Sequence, residues 1–288
     1  MRRTLALILT LLGFAACSGG GGGSGASLQP RTPPPPVNQS IGGIWEGTNL
    51  RGDKAIGIVT EDGHFYFGHP FGLQIGDATV SVNQVRSDST YLTVRRVGFA
   101  GSSNRLECTL TGVLAERQTL VLDSDCHVER HLSAQFDFNA ESSLMLTYNP
   151  VYEQGASLQA IAGLYQYAIP SDNATLVPSS PQPVLRIDSN GRWFRQSVSD
   201  GRYGPSVCTE NGDVSIPNPT YNIYYVAHVV SCNPSVREVD LKYGGYATLD
   251  TSTEPTTLIY MIYTDYTDPN DASRTHALAY RQHLEKIQ

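Results

Sequence analysis

Charge is what this sequence has least of: only 16% of its 288 residues are Asp, Glu, Lys or Arg, against about 25% in typical soluble domains. That scarcity excludes a coiled coil and a charge-solvated disordered chain. Basic residues are the scarcer kind, 20 against 27 acidic ones, for a formal charge of −7. The clustered basic stripe that marks a nucleic-acid surface is absent, so no nucleic-acid partner is expected. After the first 16 residues no stretch reaches the roughly 20 apolar residues that a membrane helix needs. A Gly-x-Ser-x-Gly nucleophile elbow is missing as well. No residue stands out as catalytic, and neither a cofactor nor a metal is expected.

What is there begins with an address. Met1-Arg2-Arg3 precedes an apolar run from Thr4 to Ala16, the layout of a secretory leader over residues 1–16. The run Gly13-Phe14-Ala15-Ala16-Cys17 resembles the lipobox of bacterial lipoproteins, with Phe14 where that family usually has Leu. The resemblance implies a diacylglyceryl thioether and an acyl chain (palmitate or similar) on Cys17, a partnership with the membrane. Two or three buried chains suffice for stable anchoring, at about 0.8 kcal/mol per methylene. Ser18, where Asp would mark inner-membrane retention, implies the bacterial outer membrane.

Residues 17–40 read as a tether. Gly19 to Gly23 is a flexible coil and Pro33 to Pro36 a stiffer extended spacer. A polyglycine run after a lipidated cysteine is similar to the surface lipoproteins of Neisseria, such as the factor H-binding and transferrin-binding proteins, which implies exposure on the cell surface. A periplasmic spacer has the same composition, and the sequence leaves the face of the membrane open.

Beyond Ile41 the apolar pattern has period 2. Ala55 to Val59, His64 to Phe67, Tyr91 to Val94, Leu120 to Leu122, Leu144 to Tyr148, Tyr221 to Val230 and Leu258 to Tyr263 are short β-branched or aromatic runs bounded by turn formers. The chain is all-β, with Ala277 to Lys286 readable as a helix or a last strand. Asp62-Gly63 and Asn190-Gly191 sit between such runs, where type I′ hairpin turns are expected.

An internal repeat divides the folded part. Ile41-Gly42-Gly43-Ile44-Trp45-Glu46 matches Ile161-Ala162-Gly163-Leu164-Tyr165-Gln166, and the two hairpin turns follow in the same order. Cys108 and Cys208 are each followed at +4 by a glycine, then by Cys126 and Cys232. The reading is two tandem antiparallel β-barrels or sandwiches, over residues 41–150 and 158–288, joined by Asn149 to Gln159. The Gly-x-Trp opening resembles the first strand of lipocalin-like barrels.

Five cysteines are an odd count for an exported protein. Lipidation uses Cys17, and the other four can pair in three ways in an oxidising compartment. The repeat selects Cys108 with Cys126 and Cys208 with Cys232, each closing a short loop at about 3 kcal/mol in the chain-entropy model.

Among candidate sites, His127 and His131 have the i, i+4 spacing of a helical zinc pair, but strand spacing sets them about 13 Å apart. His64 and His69 flank a hairpin strand and are expected to face solvent. Tyrosine is the more informative oddity: 14 of 16 lie at or after Tyr148. Tyr221, Tyr224, Tyr243, Tyr246, Tyr260 and Tyr263 are therefore candidates for a face that binds a protein, a glycan or a small molecule. Cross-strand aromatic pairing explains the same enrichment. The sequence thus points to a lipid-anchored, non-catalytic envelope binding module. A periplasm-facing assembly or inhibitor factor is the alternative, and a hydrolase without a recognisable motif is a third.

Overall fold

A computed structural model describes residues 40–69, 72–93, 105–127, 142–167, 185–198, 207–232, 241–268 and 271–287. Cys17, the leader, the tether and His131 lie outside them. The regular structure of the described residues is strand, joined by turns, apart from a 3-10 turn at Pro150–Gln154 and one turn of helix, α1, at Leu158–Ile161. No helix among the described residues is long and apolar enough to cross a membrane.

The first barrel contains β1 (Gly43–Asn49), β2 (Lys54–Val59), β3 (His64–His69), β4 (Gly72–Asp77), β5 (Thr79–Ser81), β6 (Gln84–Thr93), β7 (Arg105–Ala115), β8 (Thr119–His127) and β9 (Ser142–Asn149). Its sheet runs β4-β3-β2-β1-β9-β8-β7-β6-β5, and pairing of β4 with β6 closes eight of these strands into a ring, leaving β5 as a flap on β6. The second barrel is closed by β10 (Gly163–Tyr167), β11 (Leu185–Ile187), β12 (Arg192–Val198), β13 (Val207–Ser215), β14 (Tyr224–Cys232), β15 (Leu241–Asp250), β16 (Thr257–Asp268) and β17 (Asp271–Lys286). All pairings are antiparallel, and residues 277–286 belong to the last strand.

The repeat is carried by matching hydrogen bonds. In the first barrel the Trp45 indole Nε1 donates to the Ile41 carbonyl at 3.0 Å. In the second the Tyr165 hydroxyl donates to the Ile161 carbonyl at 2.6 Å. Each hook spans four residues and ties a fully buried ring to the entry of the opening strand. The next match is the turn between the second and third strands. Gly63 N donates to Thr60 O and Gly191 N to Asp188 O, both at 2.9 Å. Gly63 O and Gly191 O then accept from Ala78 N and Val214 N at 2.9 and 2.7 Å.

These turns are not type I′. Only the glycines, Gly63 at φ +92° and Gly191 at φ +81°, are left-handed, while Asp62 and Asn190 are not. The geometry is a four-residue turn closed by a left-handed glycine, the other common hairpin solution. A Cβ on either glycine would meet a carbonyl oxygen, of Ala78 at 2.2 Å or of Val214 at 2.5 Å. The paired left-handed residues of I′ turns occur instead at Val82-Asn83 (φ 46° and 71°) and Glu116-Arg117 (φ 50° and 56°). There strand register overrides residue preference.

The cysteine match is not part of the repeat. Cys108 lies on the sixth strand of its ring and bonds Cys126 on the seventh, directly opposite it. Cys208 lies on the fourth strand of its own ring, opposite Cys232 on the fifth. The pairing expected for the first barrel is present, but the strand counts show that the two Cys-x3-Gly runs are not equivalent. The side chains of Cys208 and Cys232 lie outside the described residues.

Each barrel encloses its own apolar core. Trp45, Phe65, Phe67, Leu110, Leu120 and Leu144 are among those filling the first, and Tyr165, Trp193, Tyr224, Tyr260, Leu258 and Leu284 the second. A third apolar cluster lies between the barrels, where Ile44, Ile56, Ile58, Tyr66 and Leu73 meet Ile259 and Met261. Tyr66 sits 5.5 Å from Tyr246 and 6.2 Å from Tyr263, ring to ring. The connecting turn is seated in this seam. Tyr152 donates to Glu61 Oε1 at 2.7 Å and stacks on Tyr221 at 4.4 Å, while Asn222 Nδ2 donates to Val151 O and Leu249 O at 3.2 and 2.7 Å.

Of the two flanking histidines, His64 is half-buried and only His69 is covered from solvent. His64 contacts Asp77 through Nδ1 at 2.7 Å and packs edge-on against Tyr66 and Tyr246. His69 is 9% exposed and points inward, with Nε2 3.2 Å from the Tyr91 hydroxyl. Strand β3 is buried on both faces beyond His64, one against its own core and the other against the second barrel, which covers its His69 end.

Candidate functional site

The backbone registers align the two interiors strand by strand. In the first barrel Phe67 stands opposite Gln74, and Gly76 opposite Ser89. In the second, Arg195 stands opposite Glu210, and Gly212 opposite His228. Gln74 and Glu210 thus occupy the same inward position on the fourth strand, and Ser89 and His228 the same position on the fifth.

Their chemistry differs. Gln74 Nε2 donates to Ser89 Oγ at 2.8 Å and to Ser124 Oγ at 3.0 Å, and Ser89 Oγ donates to the Cys108 carbonyl at 3.2 Å. This layer is neutral. In the second barrel the Glu210 carboxylate lies 3.4 Å from Arg195 Nη1 and 3.9 Å from His228 Nε2, with all three residues at most 7% exposed. Trp193 and Tyr243 stack on the two sides of the His228 ring at 5.5 and 5.2 Å.

Burial pushes the Glu210 carboxyl up, against the pull of Arg195. The Trp193 indole N–H acts in the same direction as Arg195, although it lies outside full hydrogen-bond geometry. Burial and the Arg195 charge together hold His228 down to about 4. At neutral pH the Arg195–Glu210 pair therefore lies beside a neutral imidazole. His228 Nδ1 and Trp193 Nε1 are buried without a hydrogen-bond partner among the described residues. Among those residues no group of three or more His, Cys, Asp or Glu could hold a metal ion.

The tyrosines divide between two places. Tyr224, Tyr243 and Tyr260 are at most 4% exposed inside the second barrel. Tyr221, Tyr246 and Tyr263 are half-buried in the seam against the first barrel. The six do not share one surface, because the two faces of each strand serve different packing partners.

An open groove lies elsewhere, on the outer face of β11, β12 and β13, with a volume of about 570 Å³. Two cross-strand rows line it: Arg186, Phe194 and Asn211 in one, and Asp188, Arg192 and Asp213 in the other. Phe194 is 46% exposed at the centre of the first row. Asp188 Oδ1 accepts from the backbone N–H of Asn190 at 2.9 Å and of Arg192 at 3.0 Å, and the Arg192 N–H above all holds its carboxyl below the usual range. The side chains of Arg186, Arg192, Asn211 and Asp213 make no hydrogen bond or ion pair with the described residues.

Sequence reasoning missed this groove, although a signal was present. In Arg192-Trp193-Phe194-Arg195 the alternation is inverted, with an apolar ring facing out at Phe194 and a charge facing in at Arg195. In ring order β11 and β12 stand four strands from β15 and β16, so the groove faces away from the seam. No family model, curated protein or solved structure matches the chain.

Proposed function

We propose that this protein is an exported lipoprotein, anchored in the outer membrane through Cys17, whose paired lipocalin-like barrels recognise a partner without transforming it. The observation that carries the reading is the outward groove around Phe194. A half-exposed aromatic ring beside arginine side chains is a pairing that suits a recognition surface. Its placement opposite the seam leaves it open while the barrels hold each other, and the Gly- and Pro-rich tether gives the pair reach from the membrane.

Protease treatment of intact cells, with a periplasmic protein as leakage control, tests the surface-facing form. Cleavage with the control protected supports it; full protection of a protein that is cleavable once purified assigns the periplasm-facing role instead. Loss of lipid label in Cys17→Ala checks the anchor.

A further inference from the structure

The groove is built as a grid. Each row crosses three adjacent strands, and the rows are two residues apart on the same face. Neighbouring strands lie about 4.8 Å apart and alternate residues about 7 Å apart, so the patch measures roughly 10 by 7 Å. That is the footprint of one or two sugar rings, in a concavity of about 570 Å³.

Its donors and acceptors are sorted by type. Arg186 and Arg192 only donate, the carboxyl oxygens of Asp188 and Asp213 offer acceptors, and Asn211 does both. Such a lining suits groups that each donate and accept at short intervals around a ring, as vicinal hydroxyls do. The planar guanidinium, carboxylate and amide groups can each engage two neighbouring oxygens at once. Phe194 supplies the remaining element. The negative face of its ring attracts the positively polarised C–H bonds on one face of a pyranose.

Charge narrows the class. Two arginines face two aspartates, so the groove has no net bias towards polyanions, and the whole chain carries −7. A protein partner would have to match four charged side chains of both signs with side chains of its own in one fixed arrangement. A neutral sugar meets all of them with hydroxyls. We infer that the Arg186–Phe194–Asn211 and Asp188–Arg192–Asp213 grid on the second barrel is a binding site for a neutral saccharide. The inference rests on the recognition reading above and names the ligand class of that site.

The test uses the full-length lipidated protein in detergent micelles on an array of neutral and acidic oligosaccharides. Retention of neutral saccharides is expected, with Phe194→Ala weakening it about tenfold or more through loss of the aromatic contact. Asn211→Ala weakens it by a smaller factor, and Leu50→Ala, at an exposed site on the first barrel, leaves it unchanged. Circular dichroism matching the wild type shows that the variants are folded. An empty array, retention of acidic glycans alone, or retention indifferent to both groove variants overturns the inference. Asn211→p-benzoylphenylalanine, irradiated in cells, separates this from the wider reading. A protein crosslink with an empty array removes the saccharide and keeps recognition; no crosslink and an empty array remove both.

Discussion

The two barrels share closure, opening hook and second-to-third-strand turn, yet their interiors follow different chemistry at the same positions. Gln74 in the first is satisfied by two serines, whereas Glu210 in the second is held by Arg195 beside a neutral His228. The cysteine positions also differ: a disulfide joins strands six and seven of the first ring, whereas Cys208 and Cys232 stand opposite each other across strands four and five of the second. The contrast shows that hydrogen-bonded closure and a buried ring at the entry define this architecture, while the inner polar layer and the cross-links are free to vary.

The sharpest way to break that comparison is to remove one partner from each polar layer. Glu210→Ala takes the carboxylate away from a buried guanidinium and is expected to cost about 3–5 kcal/mol. Gln74→Ala leaves serine hydroxyls short of partners and costs about 1–3 kcal/mol. Denaturant unfolding read separately through Trp193 and Trp45, the chain's two tryptophans, measures each barrel. Equal losses would mean that the charged layer is no more demanding than the neutral one.

Tyr66→Ala opens the seam, where the ring is 3% exposed. A loss of about 3–5 kcal/mol is expected, as for large aromatic truncations. It should also split a single unfolding transition into two, one per tryptophan. A transition that stays single would show that the seam does not couple the barrels. Next, Cys108→Ser with Cys126→Ser, and Cys208→Ser with Cys232→Ser, should each cost about 3 kcal/mol. Non-reducing peptide mapping checks both pairings, and a bond joining the halves would contradict the register of β13 and β14.

The interiors should also separate by pH. His228 binds its proton at about 4 in the folded chain and near 6.5 when unfolded, so its effect favours folding above 6.5 and is lost as pH falls towards 4. Glu210, shifted up, acts oppositely, favouring the folded state at low pH and losing that contribution as pH rises through its folded value. His228→Phe should therefore flatten the acid side of the second barrel's stability profile by up to about 3 kcal/mol. The neutral Gln74 layer contributes no such slope. The smallest effect belongs to Phe194→Ala, whose exposed ring should change stability by about 0.5 kcal/mol or less while weakening retention at the groove about tenfold or more.

Much of the fold was legible because closed antiparallel sheets write themselves as period-2 runs between turn formers. The hook residues Trp45 and Tyr165 and the turn glycines Gly63 and Gly191 were found in the right order from local similarity. The Cys108–Cys126 pairing was read correctly, but through a repeat match that strand counting removes; short separation within one hairpin brings the two together. The tyrosine enrichment was visible and its placement was not, since Tyr224 and Tyr225 differ only in which face of one strand they occupy. The groove needed three strands in register before Arg186, Phe194 and Asn211 became neighbours.

Local chemistry thus carried the β class and the two-part division, because alternation and turn preference are properties of adjacent residues. Which face of each strand meets its own core, the other barrel or water depends on ring closure and register. Those are set by hydrogen bonds between residues far apart in the chain, and so they emerged only with the folded molecule.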